Sequence, residues 1–470
     1  MVDGTRERLE AVRNGSVTAV ERVERLLEVI KASELNTYIT VDERDARAVA
    51  AAVDKTIAAG REPGPMAGLG ISLKDNIAVR GLQMTCASRM LADYVAPYDA
   101  TVTKHIRNAG AIILGKANMD EFACGSSGET SAFGPTLNPC DPKRVPGGSS
   151  SGSCASVGGG LADLSVGTDT GGSIRCPAAF CGVVGIKPTY GLVSRYGMSD
   201  MAMSLEGPGP VAPDVFGAAL LLSVLSGADP RDCVTREPGT DYTTAATGDV
   251  EGLRVGLVKE FIDGVDAPIA QAIKKAGRRL EKAGAELVEL TIPSVRYAVP
   301  MYYIVMFSEF SSAMAKFDGF RYGHRGDADL DGLEASVSRT RSQAFGREVK
   351  RRVLLGTYVT MREHRDAWYT RALRARSVLR QEFLDRLEKA DVLLGATMPC
   401  LPWRLGELVD DPVAMYLMDI MTVSANLAGV CAGTLPVGEH KGLPTAVQLH
   451  GRPFDEVTLI RAMSAVEGGR

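Results

Sequence analysis

Residues 161–189 read LADLSVGTDTGGSIRCPAAFCGVVGIKPT and alternate apolar runs with glycine, serine and threonine. The apolar parts, residues 161–166 and 181–186, suit short buried strands. The wider stretch 137–197 is rich in Gly, Ser, Thr and Pro, a composition that also fits a linker. Because apolar strands are threaded through it, we expect a set of tight loops around a site rather than a linker.

Alternating strand and helix patterns continue on both sides of that segment. Three amphipathic helices are predicted in an N-terminal helical segment of about residues 1–60. Further strands are predicted at 67–79, 109–122, 252–258, 285–292, 391–396, 433–438 and 444–450. Further helices are predicted at 215–228, 269–283, 297–315, 341–356, 361–388 and 456–467. This order predicts an α/β fold with a mixed β-sheet core covered by helices on both faces, in one domain spanning residues 1–470.

Composition excludes several classes of protein. Apolar residues make up 45% and charged residues 23% of the 470, which is ordinary globular usage. The net charge of −4 argues against a chain whose main task is to bind nucleic acid phosphates, so we expect another chain to carry most of any RNA contact. The longest apolar run, residues 215–228, is too short to cross a bilayer, and the charged N-terminus lacks the apolar core of a signal peptide.

The cysteines also bear on location and on metal binding. All nine are scattered and none forms a CxxC pair, which favours reduced thiols in a cytoplasmic protein over a disulfide framework. Cys176 and Cys181 are the one close pair, and no histidine stands near them. We therefore expect no metal site.

The loop GTDTGGSIR at 167–175 has the composition of an oxyanion-binding turn. Thr170, Gly171 and Gly172 lead into Ser173, so successive backbone N–H groups could converge on a developing negative charge. Ser173 would lie beside those donors as a nucleophile.

Two neighbouring features remain open on sequence alone. Asp169 and Arg175 flank the loop and would either pair to hold it or form a plain surface ion pair. The segment GGSSSGS at 147–153 lacks the lysine of a phosphate-binding loop, so it is either part of the same site or a solvated flexible loop.

A serine nucleophile requires a base, and histidine is a poor candidate here. None of the five histidines lies in a Gly/Ser loop, and no GxSxG elbow surrounds Ser173. Lys74 follows the apolar strand GLGISL, which indicates a position near the core, although most lysines lie on the surface. To act as a base Lys74 must be neutral near pH 7, and burial can lower its pKa that far.

Three motifs resemble the amidase signature family: SLKDN at 72–76, GGSSSGS at 147–153, and GTDTGGSIRCPAAFCGVVGIKPT at 167–189. The resemblance implies the amidase signature fold, with Ser173 as the acyl-enzyme nucleophile, Ser149 as a proton relay and Lys74 as the base. It implies a cis peptide before Ser149. It also places Thr170, Gly171 and Gly172 in the oxyanion loop.

Other segments resemble the glutamine-hydrolysing branch of that family, which serves tRNA-dependent amidotransferases. They are MDEFACGSSGETSAFGPTLNP at 119–139, KFDGFRYG at 316–323, FGREVKRRVLLGTYV at 345–359 and YLMDIMTV at 416–423. The resemblance implies that Arg352 and Asp419 bind the α-carboxylate and α-ammonium of glutamine. Tyr303 is assigned to the same pocket, with Tyr302 as the alternative.

The same resemblance implies the partners. It predicts no cofactor in this chain, a transamidase subunit that holds ATP, Mg²⁺ and most of the tRNA, and a small third subunit that wraps this one. The ammonia would amidate Glu-tRNA(Gln), Asp-tRNA(Asn) or both on the transamidase. Two alternatives remain open, a free-standing amidase for small amides and an inactive scaffold within such a complex.

Without the resemblance, some of these residues have simpler interpretations. Arg352 lies in a charge-rich segment typical of a solvated helix face, whereas Asp419 lies among apolar residues and needs a partner. Ser151, Cys176 and Cys431 depart from the family pattern and concern loop packing rather than reaction type.

Overall fold

The computed structural model describes residues 4–236, 240–326 and 332–468. Within these ranges eleven strands form one sheet. They are β1 Tyr38–Val41, β2 Gly70–Lys74, β3 Ile112–Ala117, β4 Leu164–Asp169, β5 Val184–Lys187, β6 Gly207–Ala212, β7 Arg254–Val258, β8 Glu286–Leu290, β9 Val392–Ala396, β10 Cys431–His440 and β11 Leu443–Gly451.

The strand order across the sheet is β1-β3-β2-β4-β6-β5-β10-β11-β9-β7-β8. Strand β2 pairs in parallel with both β3 and β4, and β7 pairs in parallel with both β8 and β9. The pairs between β4 and β9 are antiparallel. The predicted mixed sheet is confirmed.

The described helices alternate with these strands. They are α1 Thr5–Arg13, α2 Ala19–Ala32, α3 Glu43–Ala58, α4 Thr101–Asn108, α5 Ser151–Gly158, α6 Arg175–Cys181, α7 Val215–Leu225, α8 Ala267–Lys282, α9 Ala298–Met314, α10 Leu333–Ala344, α11 Arg347–Thr360, α12 Arg371–Leu387, α13 Pro412–Leu417, α14 Val423–Ala428 and α15 Glu456–Glu467. No helix of the described ranges is long and apolar enough to span a bilayer.

Apolar packing covers both faces of the sheet. Successive strand residues point to opposite faces, and in β3 Ile113 joins the large core cluster while Ile112 and Leu114 join a second cluster. The second cluster contains Leu26 of α2 and Val53 of α3. The predicted α/β architecture with helices on both faces is therefore confirmed.

Some predicted elements were wrong or were missed. The N-terminal segment is not wholly helical, because β1 pairs with β3 and forms one edge of the sheet. The stretch 137–197 contains α5 and α6 as well as loops. Strand β6, with the sequence GPGPVA, was not predicted, because proline lacks the N–H that a central strand normally donates.

The single helix predicted at 341–356 is two helices. Phe345 is extended, and the Gly346 amide donates to Glu121 Oε2 at 2.9 Å before α11 begins. This break sets the direction of α11, which carries Arg352.

The sheet brings the sequence motifs to one edge. Because β2 and β4 are parallel neighbours, their carboxyl ends lie together. Lys74 ends β2 and Asp169 ends β4, so the motifs at 72–76 and 167–175 meet there.

Candidate active site

Lys74 is completely buried at the end of β2. Its Nζ lies 2.8 Å from Ser149 Oγ, 2.9 Å from Thr168 Oγ1 and 3.4 Å from the Thr168 carbonyl oxygen. Burial lowers the pKa of Lys74 to about 7, and the nearby charges of Asp120 and Asp169 oppose that shift only in part. The amine is therefore partly neutral at physiological pH, as a base at this position requires.

The peptide between Gly148 and Ser149 is cis, as the resemblance implied, and two backbone hydrogen bonds fix the residues that follow it. The amide of Asp120 donates to the Ser149 carbonyl at 3.1 Å. The next amide, that of Ser150, donates to the Ser173 carbonyl at 3.0 Å. The bond from Ser150 holds the loop at 147–153 against the loop at 167–175, and the bond from Asp120 holds it to the segment after β3.

Accessibility decreases from Ser173 inward. Ser173 keeps 9% of its surface exposed, whereas Ser149 and Lys74 have 0% exposure. A substrate can therefore reach Ser173 while the amine stays away from bulk water. The structure places Lys74 Nζ against Ser149 Oγ, and it joins the Ser173 carbonyl to the amide of Ser150, the residue after Ser149.

A buried ion pair braces the loop that carries Ser173. Arg175 Nη2 lies 3.1 Å from Asp169 Oδ1, and Arg175 Nε lies 3.1 Å from Asp169 Oδ2, with both side chains completely buried. Although burial alone would raise it, the Arg175 guanidinium holds the pKa of Asp169 well below its usual range. The pair therefore holds the loop and is not a surface contact.

The oxyanion loop differs in one amide from the expectation. The Gly172 amide donates to Asp169 Oδ1 at 2.9 Å, so it is already engaged. Among the turn and loop hydrogen bonds of the described residues, none is donated by the amides of Thr170, Gly171 and Ser173. These three remain candidates for oxyanion donors.

Side chains pack so closely against this loop that the two positions before Ser173 have no room for a Cβ atom. A Cβ on Gly171 would lie 2.5 Å from Tyr302 Cζ, and a Cβ on Gly172 would lie 2.3 Å from Thr422 Oγ1. Gly172 also has a φ of +133°, which side chains rarely adopt. Tyr302 therefore packs against the loop.

Asp419 finds the partners that its apolar sequence context demands. Its Oδ2 accepts from the Tyr303 hydroxyl at 2.7 Å, and its Oδ1 accepts from Ser126 Oγ at 2.8 Å. Burial raises the pKa of Asp419 to about 6. Of the two tyrosines considered from the sequence, Tyr303 contacts this carboxylate.

Arg352 is buried and does not lie on a solvated helix face, with 3% of its surface exposed. Its guanidinium carbon lies 5.7 Å from the ring centre of Tyr303 and 5.6 Å from that of Tyr416. Its Nε donates to Glu348 Oε1 at 2.8 Å, an oxygen that the Tyr416 hydroxyl also contacts. Tyr303 thus connects Arg352 with Asp419.

A cavity of about 250 Å³ opens beside Arg352. Its wall includes Ser127, next to the Ser126 that contacts Asp419, together with Glu348 and Tyr416. A small polar substrate could reach the Arg352–Asp419 region through this opening.

Several residues of the site were not identified from the sequence. Thr168 supplies two of the oxygens around Lys74, and the Asp120 carboxylate accepts from the amides of Gly128 and Thr130 beside the serine loop. The signal for Asp120 was available, because a carboxylate after the apolar strand 109–117 is unusual unless it is hydrogen-bonded. Nothing in the sequence pointed to Thr168.

The three departures from the family pattern lie in the interior. Ser151 begins α5 with its hydroxyl 3.1 Å from Thr136 Oγ1, and Cys176 and Cys431 are buried. In the described ranges no group of three His, Cys, Asp or Glu side chains is placed to hold a metal.

Comparison with known proteins gives the family. A family model described as Amidase matches residues 21–460. The chain belongs to the amidase family. Its resemblance to that family, suggested by the three motifs, is confirmed.

Similar sequences and similar solved structures support the same family assignment. The A subunit of glutamyl-tRNA(Gln) amidotransferase from Carboxydothermus hydrogenoformans is 46% identical over 466 residues, covering 98% of this chain and 96% of the relative. The crystal structure of the protein of that name from Thermotoga maritima is 35% identical with a TM-score of 0.78, covering 95% of this chain and 93% of that one. The peptide amidase of Stenotrophomonas maltophilia is 28% identical with a TM-score of 0.82, covering 100% and 97%.

The Asp169–Arg175 brace generates a stability prediction. Asp169→Asn should lower the free energy of unfolding by about 3–5 kcal/mol at neutral pH, because it leaves the Arg175 charge buried and unpaired. Urea denaturation followed by circular dichroism measures this. The exposed control Asp263→Asn should unfold at the urea concentration of the parent. Equal midpoints for the two variants would show that the pair does not brace the loop.

Proposed function

We propose that the chain is the glutaminase subunit of a tRNA-dependent amidotransferase. It hydrolyses the side-chain amide of glutamine through an acyl-enzyme on Ser173 and releases ammonia for use on a partner subunit. The observation that carries the chemistry is the buried Lys74 amine, 2.8 Å from Ser149 Oγ and one backbone hydrogen bond from the Ser173 loop.

The contacts of Lys74 suit a neutral amine. A neutral amine has two N–H groups and one lone pair, whereas an ammonium has three N–H groups and none. The two oxygens of Thr168 can accept the two N–H groups. The lone pair then faces Ser149 and accepts its hydroxyl proton, so Ser149 can in turn accept the proton of Ser173.

The first half-reaction follows from this proton path. Ser173 Oγ attacks the amide carbon as its proton moves to Ser149 and the proton of Ser149 moves to Lys74. In this proposal the candidate amides of Thr170, Gly171 and Ser173 donate to the oxygen that becomes negative. The Lys74 ammonium returns a proton through Ser149 to the amide nitrogen, the C–N bond breaks and ammonia leaves.

The second half-reaction runs the same path with water. Water attacks the acyl carbon while its proton passes through Ser149 to Lys74, and the proton then returns to Ser173 as the ester bond breaks. Glutamate is released and the amine is neutral again.

Recognition of glutamine rests on two buried charges of opposite sign. The Arg352 guanidinium matches the α-carboxylate, and the Asp419 carboxylate matches the α-ammonium. The Tyr303 hydroxyl orients Asp419 through its 2.7 Å hydrogen bond. The side-chain amide then extends toward Ser173.

The amidotransferase role is supported by the relatives named above and by the charge of the chain. A net charge of −4 suits a subunit that leaves most of the tRNA contact to a partner. The proposal therefore includes a transamidase subunit holding ATP and Mg²⁺, a small third subunit, and a cytoplasmic complex acting on Glu-tRNA(Gln), Asp-tRNA(Asn) or both.

A free-standing amidase is the second candidate, favoured by the likeness to the Stenotrophomonas maltophilia peptide amidase. Substitution at the amino-acid pocket distinguishes the two. Arg352→Lys and Asp419→Asn should each raise KM for glutamine by about 10- to 100-fold, because each weakens a charge-assisted hydrogen bond. Steady-state ammonia release measures this.

Hydrolysis of propionamide, which lacks both α-groups, should change less than about threefold in the same variants. Loss of propionamide hydrolysis would indicate damage to the reacting groups. Unimpaired glutamine hydrolysis in both variants would favour the free-standing amidase.

The buried amine also predicts a pH dependence. Lys74 acts only when neutral and its pKa is about 7, so kcat/KM should reach half of its plateau near pH 7. It should fall about tenfold per pH unit below that. Propionamide is the suitable substrate, since Asp419, with a pKa of about 6, also titrates in glutamine binding. A flat profile between pH 5 and 9, with the circular dichroism spectrum unchanged, would exclude Lys74 as the base.

An inactive scaffold is the remaining alternative, and covalent labelling tests it. An electrophilic glutamine analogue should add to Ser173 in the parent chain and give no adduct in Ser173→Ala. Peptide mass spectrometry locates the adduct. A parent chain that stays unlabelled, both alone and in its native complex, would favour the scaffold.

A further inference from the structure

A second polar cavity, of about 370 Å³, lies at the carboxyl end of α14, where Gly429 lines it. Its walls come from the loops after β5 and before α15, the segment 233–236, and α12. The lining residues are Thr189, Tyr190, Cys233, Val234, Thr235, Arg236, Arg376, Arg380, Gly429, Pro453 and Phe454.

The cavity is strongly positive. Three arginines, Arg236, Arg376 and Arg380, line it, and no aspartate or glutamate is among its described lining residues. This is unusual in a chain with a net charge of −4. Like charges that share a concave surface raise the local concentration of anions.

The protein uses only part of the hydrogen-bonding capacity of these guanidinium groups. Each has five N–H donors. Arg376 donates to Leu427 O at 2.9 Å and to Ser204 Oγ and O at 3.1 and 2.9 Å, and Arg380 donates to Ala428 O. Two donors of Arg376 and four of Arg380 therefore have no hydrogen-bond partner among the described residues.

Arg236 contributes a guanidinium with no polar partner in the described chain. Its guanidinium carbon lies 5.1 Å from the ring centre of Phe454, which keeps the group against the cavity wall. Thr189 Oγ1 accepts from the Phe454 amide at 2.8 Å, so Thr189 and Phe454 hold two parts of the wall together.

The positive charge is incompletely balanced. Burial lowers the pKa of Arg376, and the like charge of Arg380 acts in the same direction. Glu309 and Tyr190 oppose this lowering of the pKa of Arg376, and Glu309 also accepts hydrogen bonds from the hydroxyl and the amide of Ser204. An anion within the cavity would relieve the remaining repulsion.

We propose that this cavity binds a phosphate group through Arg236, Arg376 and Arg380. A phosphate dianion has enough oxygens to accept from three guanidinium forks, whereas a carboxylate has two. The volume admits either inorganic phosphate or a small phosphorylated metabolite. The site is separate from the proposed glutaminase chemistry and does not depend on it.

Isothermal titration of the full chain with sodium phosphate, in low salt with matched chloride, tests the proposal. The parent should bind one phosphate per chain. Arg236→Gln should weaken binding about tenfold, because it removes one charged donor set while breaking no side-chain hydrogen bond to the described residues. Arg278→Gln, on the exposed face of α8, should bind within twofold of the parent.

A parent chain without saturable binding would overturn the proposal, and so would an Arg236→Gln variant that binds like the parent. Equal weakening in both variants would also overturn it, since that indicates general attraction of anions. Titration with a nucleoside diphosphate shows whether the bound phosphate group belongs to inorganic phosphate or to a phosphorylated metabolite. Tighter binding than phosphate supports a phosphorylated metabolite, and weaker binding supports inorganic phosphate.

Discussion

The exclusion of water from the Lys74 amine is the constraint on which the rest of the site depends. Lowering a lysine pKa from 10.5 to about 7 corresponds to roughly 5 kcal/mol of destabilised ammonium. The sheet supplies this environment, because Lys74 ends a strand that lies between two parallel neighbours. The serine and glycine loops then cover the amine with small side chains that leave hydroxyls within reach.

Holding those loops requires a second buried charge system. Asp169 accepts from Arg175 and from loop amides, and Asn426 of α14 donates to Asp169 Oδ1 at 2.9 Å. Arg175 also donates to Thr422 O and Asn426 Oδ1. Helix α14 thus holds the Ser173 loop from a distant part of the sequence. The last carbonyls of the same helix accept hydrogen bonds from Arg376 and Arg380. Helix α14 therefore contacts both the Ser173 loop and the arginine-lined cavity.

Much of this arrangement could be predicted from the sequence, for physical reasons that differ by region. The apolar strand before Lys74 indicated burial, and period-3.6 patterns placed the amphipathic helices. Strand β6 was missed because its two prolines oppose a central strand. The buried state of Arg352 was hidden by neighbouring charges, since its aromatic partners Tyr303 and Tyr416 are distant in sequence. The hydrogen bond from the Gly172 amide to Asp169 depends on the backbone conformation of the loop, which amino-acid composition does not specify.

The position of Tyr303 between Arg352 and Asp419 has a consequence for stereochemistry. In the proposed binding mode, a cation near the ring of Tyr303 and an anion at its hydroxyl fix where the two groups on the α-carbon of a bound amino acid lie. With the reacting carbonyl at Ser173 as the third point, that binding mode admits only one enantiomer. In the proposed orientation, the mirror-image amino acid would place its hydrogen or its side chain where a charge is required.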